Sequence, residues 1–569
     1  MKSRISIFSF ALFLALLPSS MRGQSQALVI EGGTLIDGNG GAPVWDAVVV
    51  MEGSRIKTVG TKGKVTIPAQ AKVIQAGGKT ILPGLVDSHI HSLDWFPPLF
   101  LHFGVTTVFD TANPTEWSVA QRDAVNKGRI KGPRMFVTGI IIDGPPSGSD
   151  DPSDRRETYR VRVRTAEEAR VAVRNVVREG VDGIKVHEGL TPELLKTVIE
   201  EAHKAGLEVV GHEHDVRAAV QVGMKFIEHP YSIIHATITD PAKLKALDAG
   251  TLPFAEAEMD TSLFDPIIDS MVKNKVYFNP TLTRTGFVLM PERQEWIQLA
   301  VKLLEDPSYA FINAGRREFW LRGARAGGPP PDPSTLELKM EGLRKVQEFT
   351  RKYAKAGGRI INGPDSGPSS PATNMPGLAM HIEMQALVDA GLTPMQAILS
   401  STKWPAQQMK KDKDLGTIEP GKFADIIIID GDPLANIQAT REIRTVIMDG
   451  KVIDTTLDPK FRNPLPRPFF GDIPSEDPAP EIDEMTPPIA REGDAKVELV
   501  IGGSKFTAQS VVRFDTTDLP TKFVSDSKLT ATINGALLKK VGTYAVTVLN
   551  PGSLGGTSKG LYFVVNFKD

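Results

Sequence analysis

Two histidines two residues apart, in the run LPGLVDSHIH at 82–91, are the strongest local signal for metal binding in this sequence. On a strand, His89 and His91 point to the same face. Two imidazoles on one side of a strand end can chelate one cation. The bland alternative is a polar strand end with satisfied histidines. Further candidates close apolar runs in chain order: Lys185 in VDGIKVH, His212 in GLEVVGH, His229 in MKFIEH and Asp365 in GRIINGPD. A lysine at such a place is costly if charged and unpaired. A neutral amine can take up carbon dioxide instead and become a carbamate, an anionic oxygen ligand able to bridge two metals. Each residue alone has an ordinary explanation; six in this order, all at strand ends, do not. His187, His214 and Tyr231 stand beside these positions and are candidates for substrate contact, weighed against plain strand-end packing. Asp87 shares the register of His89 and His91, where orienting a ligand is as reasonable as ligation. His381 reads as structural or supporting, and His102, His203 and His235 as ordinary. The 569 residues include no Cys, which removes disulfides, thiol nucleophiles and Cys-ligated metals. No GxSxG elbow is present either.

The elements that must position these residues are legible as patterns. Residues 27–82 alternate apolar runs with Gly-containing turns, as hairpins do. From 83 to 410, short apolar runs alternate with helical patterns, which points to a parallel sheet with helices outside; a closed eight-stranded barrel fits this length. The stretch TPELLKTVIEEAHKAG at 191–206 carries Thr191 as N-cap, Pro192 in the first turn, an apolar face of Leu194, Leu195, Val198, Ile199 and Ala202, and Gly206 as a stop. GIKVH and VVGH are therefore expected to be successive strands flanking a helix. Residues 411–462 return to β character and are expected to join 27–82 in one small sandwich split in sequence. The stretch 463–490 is rich in Pro and acid and reads as a semi-extended linker. Residues 491–569 are strand-like again, a sandwich by default.

At the other end, MKSRISIFSFALFLALLPSS has a basic start and a short uncharged apolar run. It reads as a secretory signal over 1–26, too short for a membrane span. Export to the periplasm or beyond is the expectation, with no integral span after signal removal. Loss of Lys2, Arg4 and Arg22 would lower Lys+Arg from 66 to 63 against 68 Asp+Glu, a net charge near −5. That balance argues against a nucleic-acid partner. A homo-oligomer is compatible with the sequence.

Taken together, LPGLVDSHIH, GIKVH, VVGHEHD, FIEHP, NGPDSG and GTIEPGKFADIIIIDGDPL resemble the amidohydrolase superfamily over roughly residues 27–455. The resemblance implies a (β/α)8 TIM barrel with a composite β-sandwich and one or two divalent metals, usually zinc. It implies that His89, His91, His212 and His229 are ligands and that Lys185 is a carbamylated bridge. Asp365 would be both a metal contact and the proton shuttle. HEH at 212–214, IEH at 227–229 and GLTPMQAILSSTKWPA are similar to the branch of imidazolonepropionase-like hydrolases and Xaa-Pro dipeptidases. His187, two residues after Lys185 on the same face, departs from the simplest pattern and competes as a ligand or substrate contact. Residues 525–552 resemble an IPT/TIG domain, an immunoglobulin-like sandwich. Three readings follow. The first is a binuclear hydrolase of a small amide or dipeptide, Xaa-Pro peptides included, working by a metal-activated hydroxide. The second is a cyclic-amide hydrolase or deaminase of the same superfamily. The third is a barrel that binds without turnover.

Overall fold

Short β-branched runs separated by amphipathic stretches fold as parallel strands joined by helices. The computed structural model of the protein describes residues 26–145, 156–157, 159–325, 333–367, 371–467, 480–551 and 556–568. The expected signal segment lies outside them except for Gln26. The strands that matter for the site are β1 (Leu85–Ile90), β2 (Val105–Asp110), β3 (Arg134–Val137), β4 (Ile184–Val186), β5 (Val209–Gly211), β6 (Phe226–Glu228), β7 (Tyr277–Asn279) and β8 (Arg359–Ile360). Every pairing among them is parallel. β1, β2 and β3 are neighbours in one sheet, and β4 to β8 follow one another in a second. The short strand Ile141–Asp143 lies on the free side of β4 through the pair Ile141↔Lys185. Backbone hydrogen bonds run between the two sheets at both edges: Asp182 to the Val137 carbonyl at 2.7 Å, and Ser88 to the Asn362 carbonyl at 3.1 Å. Apart from Arg134 in β3 and Arg359 in β8, which are partly exposed, the residues of these strands are buried on both faces, which is why most of them read as apolar runs rather than as alternation.

The helix anticipated after GIKVH is Pro192–Lys204, with the Thr191 hydroxyl accepting from the Leu194 amide at 3.3 Å. Its Leu194, Leu195, Val198, Ile199 and Ala202 are buried, so the apolar stripe faces the strands. Among the described residues no helix is long and apolar enough to cross a membrane.

The two flanks of the parallel region meet. Lys79–Pro83 pairs antiparallel with Ile426–Asp430 inside a six-stranded sheet, and a four-stranded sheet containing Leu28–Glu31 and Ala47–Glu52 packs on it. Their common core holds Ile30, Val49, Ile81, Ile426, Ile428 and Ile447. At the C-terminal end, a four-stranded and a five-stranded sheet share a core of Leu499, Ile501, Val512, Leu529, Val548 and Phe563. Pairing begins inside the Pro-rich stretch: Glu481–Thr486 is a strand, bonded antiparallel to Lys496–Ser504. The mixed α/β fold with a β-rich C-terminal region is thus as expected.

Candidate metal centre

A cavity of about 770 Å³ opens where the parallel strands end. His91 follows β1, Ala112 follows β2, and Lys185 and His187 close β4. His212 follows β5, His229 follows β6, Arg284 lies beyond β7, and Asp365 follows β8. C-terminal strand ends are where parallel α/β folds collect reactive groups, because loops there can vary while the strands stay fixed.

Four imidazoles converge. The ring of His89 lies 5.1 Å from that of His91, 5.0 Å from His229 and 6.5 Å from His212, centroid to centroid. His212 and His229 are 4.7 Å apart. Asp365 faces three of them, with oxygens 3.0 Å from His91 Nε2, 3.6 Å from His89 Nε2 and 3.8 Å from His229 Nε2. Lys185, 1% exposed, donates its Nζ to Glu228, which is equally buried. Glu228 also approaches His89 Nδ1 at 3.5 Å and His212 Nε2 at 3.9 Å. All six anticipated ligands are therefore gathered in one place.

Burial and charge set the protonation states. Burial pushes His89 and His212 well below the ordinary imidazole value, and His229 down to about 3. Neutral imidazoles are the form that ligates. Asp365 is buried too, yet His89, His91 and His229 outweigh that burial and hold it well below the usual carboxylate range. Glu228 is raised by burial, with Lys185 opposing.

Both ring nitrogens of His89, both of His229, Nε2 of His212 and Oε1 of Glu228 are buried without a hydrogen-bond partner. Buried polar atoms without partners cost on the order of 1–3 kcal/mol each. Several lone pairs converging in this way fit a bound cation, and the donor set of imidazoles and carboxylates suits zinc or a similar divalent metal.

The backbone is strained at two of these residues. His229 and Asp365 have φ of 64° and 60°, the left-handed region that costs non-glycine residues about 1–3 kcal/mol. The left-handed turn at His229 breaks strand alternation, so adjacent Glu228 and His229 both reach the site. Gly363, just before Asp365, is a close-approach position. A Cβ there would lie 2.6 Å from that of His89 and 2.7 Å from Asn279 Nδ2.

The remaining expectations separate. His187 lines the cavity, its Nδ1 2.7 Å from Glu188, which also bonds His212 Nδ1 at 3.3 Å. His214 and Tyr231 are not among the lining residues. His214 bonds Asp248 at 3.0 Å and its ring lies 3.8 Å from that of His235, tilted by 54°, and Tyr231 opens a helix, Tyr231–Thr237, half-buried. Asp87 accepts from the backbone amide of His89 at 3.1 Å rather than from its ring. His381 bonds Thr440 and the Phe103 carbonyl, each at 3.0 Å, and is structural. Sequence reasoning overlooked Glu228, Glu188 and Arg284, the last paired with Asp365. Glu228 stands in the FIEH motif, directly before His229, where regular strand alternation would place the two neighbours on opposite faces.

Comparison with known proteins supplies an independent line. The amidohydrolase family profile matches residues 100–453. Imidazolonepropionase of Shouchella clausii is 22% identical over 432 residues, covering 71% of this chain and 85% of that protein. Among solved structures, a Xaa-Pro dipeptidase with bound methionine superposes with a TM-score of 0.54 at 22% identity, over 75% of this chain and 100% of its own. A molinate hydrolase gives 0.55 at 23%, over 76% and 95%. At these identities the structural likeness speaks for the fold alone.

Proposed function

The chain belongs to the amidohydrolase family and is a hydrolase of carbon–nitrogen bonds; from that premise we propose that it is an exported enzyme cleaving a small amide or dipeptide with two divalent metals, zinc in the first instance. We read the two parallel sheets as one closed (β/α)8 barrel, the flanking sheets as a composite sandwich of 27–82 and 411–462, and residues 491–569 as an IPT/TIG-like module. The observation that carries the metal reading is the convergence of buried, partnerless lone pairs on His89, His212, His229 and Glu228.

His89, His91, His212, His229 and Asp365 would hold the metals, with a carbamate on Lys185 as the bridge. When bound, the metals supply Lewis acidity, which activates water near neutral pH and polarises a carbonyl. The chain's own residues do the rest. Asp365, ionised by its histidine neighbours, takes the proton from the attacking water and returns it to the leaving nitrogen. Arg284, at the same carboxylate, steadies that negative charge. His187, held by Glu188, presents a polar edge to substrate from β4. The cavity volume of about 770 Å³ suits a substrate of dipeptide size.

The test is hydrolysis of a panel of dipeptides, Xaa-Pro peptides included, and N-acyl amino acids by protein stripped and then reloaded with zinc. Metal-dependent release of an amine supports the reading; inertness of the reloaded enzyme toward all linear amides contradicts it. Likeness to imidazolonepropionase favours a cyclic amide as the second reading, so one cyclic amide belongs in the panel.

A further inference from the structure

One residue lining the cavity comes from beyond the parallel strands and their flanking sheets. Arg467 lies in the stretch that leads to the C-terminal β-rich region, and it is carried to the rim by a strap of bonds. Asn463 Nδ2 donates to the Asp94 carbonyl at 2.7 Å. Trp117 Nε1, on the helix Thr115–Asn126, donates to the Leu465 carbonyl at 3.0 Å. Leu465 is fully buried in the main core. Thr543, on the strand Gly542–Leu549 of the C-terminal region, donates to the Pro466 carbonyl at 2.9 Å. Prolines at 464 and 466 stiffen the segment between these anchors. The strap is thus fixed from both sides before the chain reaches Arg467.

The guanidinium is held by one edge. Its Nε donates to Asn113 Oδ1 at 2.6 Å. Asn113 is itself fixed, its Nδ2 donating at 2.8 Å to each oxygen of Asp110 and at 3.2 Å to the Ser92 carbonyl. No hydrogen bond from the two terminal nitrogens of Arg467 is formed among the described residues, and no described carboxylate lies within ion-pair distance. The other cavity arginines differ: Arg160 pairs with Asp143 at 2.5 Å, and Arg284 pairs with Asp365. Asp110 and Asp94 act on Arg467 only through space, and burial still draws it below the ordinary arginine value. A part-buried cation that lines a cavity, anchored there by a neutral amide through Nε and with no hydrogen bond from its terminal nitrogens among the described residues, suits a planar anion.

We propose that Arg467 is a substrate-binding residue supplied by the strap, and that it receives a free carboxylate on the amide substrate. This rests on the hydrolase reading above and narrows it to carboxylate-bearing amides. A charged hydrogen-bonded pair of this kind contributes mainly to binding, so its loss raises KM and spares kcat.

The experiment uses the full-length, zinc-loaded protein and two substrate pairs. Alanyl-proline against alanyl-prolinamide places the carboxylate on the amine side; glutaryl-anilide against butyryl-anilide places it on the acyl side. The wild type should favour the acid member of at least one pair. Arg467→Gln should raise KM for that acid about 10- to 100-fold, with kcat within a few-fold and the neutral member unchanged. Calorimetric titration with proline and with glutarate gives a readout that needs no turnover. The one that binds should bind at least about tenfold more weakly to Arg467→Gln. Arg467→Met, uncharged and of similar length, serves if the Gln variant does not fold. Absence of acid preference in both pairs, a preference that survives the substitution, or equal probe affinity in variant and wild type overturns the assignment. An enzyme inert toward every amide but with Arg467-dependent affinity sinks the hydrolase reading and leaves the carboxylate site standing.

Discussion

The pair of Lys185 and Glu228 concentrates the chemistry of the site in two side chains. Both are about 1% exposed, and in the metal-free protein each is the other's counter-charge. Glu228→Gln would leave a buried ammonium without an acid, and breaking a buried pair from one side costs about 3–5 kcal/mol. Urea unfolding in the presence of a chelator should therefore show a clearly lower midpoint for Glu228→Gln; an unchanged midpoint would mean the pair does not form without metal. In the metal-loaded enzyme proposed above, an unmodified ammonium would repel the cations, and a carbamate on Lys185 would remove that repulsion. Lys185→Ala should lose most bound metal and most activity, with partial rescue by a short carboxylic acid. Lys185→Arg should not rescue, because a guanidinium keeps its charge. Wild-type metal content in Lys185→Arg would make His187 the leading ligand on β4. At this scale the sequence was legible wherever a candidate donor closed an apolar run, since those six side chains come together at the cavity. It was silent on Glu228, because only the left-handed φ of 64° at His229 turns both neighbours inward. It was silent on Glu188, in a turn after β4, and on Arg284, in the short helix Leu282–Gly286, because neither position sits in a periodic pattern that declares a direction.

Strands and helices position these groups, and one buried histidine reports on how. His381, on the helix Leu378–Asp389, ties that helix to Phe103 and Thr440. Burial pushes it down to about 4, although its bond to the Phe103 carbonyl works the other way. In the unfolded chain its value returns to about 6.5. The folded state thus binds fewer protons between those values, and stability rises with pH there. His381's contribution is complete above about pH 6.5 and is lost as pH falls toward about 4. Thermal unfolding of metal-stripped protein between pH 7 and 4 should show a shallower loss for His381→Gln than for wild type. Equal slopes would place its titration elsewhere. Elements with strong local signals were legible: the capped helix Pro192–Lys204 is one, and the strand preceding each ligand another. The strand Glu481–Thr486 was hidden by the prolines and acids around it, since pairing with Lys496–Ser504 is a long-range contact that composition cannot report.

For the whole molecule, all anticipated metal donors lie between residues 89 and 365, so the C-terminal region is expected to be dispensable for the reaction itself. It is not dispensable for stability, because Val541 and Val564 belong to the main core and Ile489 and Phe567 pack on it. Deleting 491–569 should leave kcat on an uncharged amide within a few-fold while lowering the melting temperature. A folded truncate with no turnover would make this region part of the catalytic apparatus. The meeting of the two flanks in one pair of sheets was anticipated from their shared β character, whereas the strap that brings Arg467 to the cavity was not, since a Pro-rich stretch reads as linker until its partners are known. The binuclear centre is tested most directly by elemental analysis of the purified full-length protein alongside Lys185→Ala, with activity measured on the same samples. The expected result is about two divalent ions per chain in the active wild type, zinc foremost, and loss of most of both metal and rate in the variant. Full activity at one tightly held ion per chain, or a variant that keeps both ions, would contradict it.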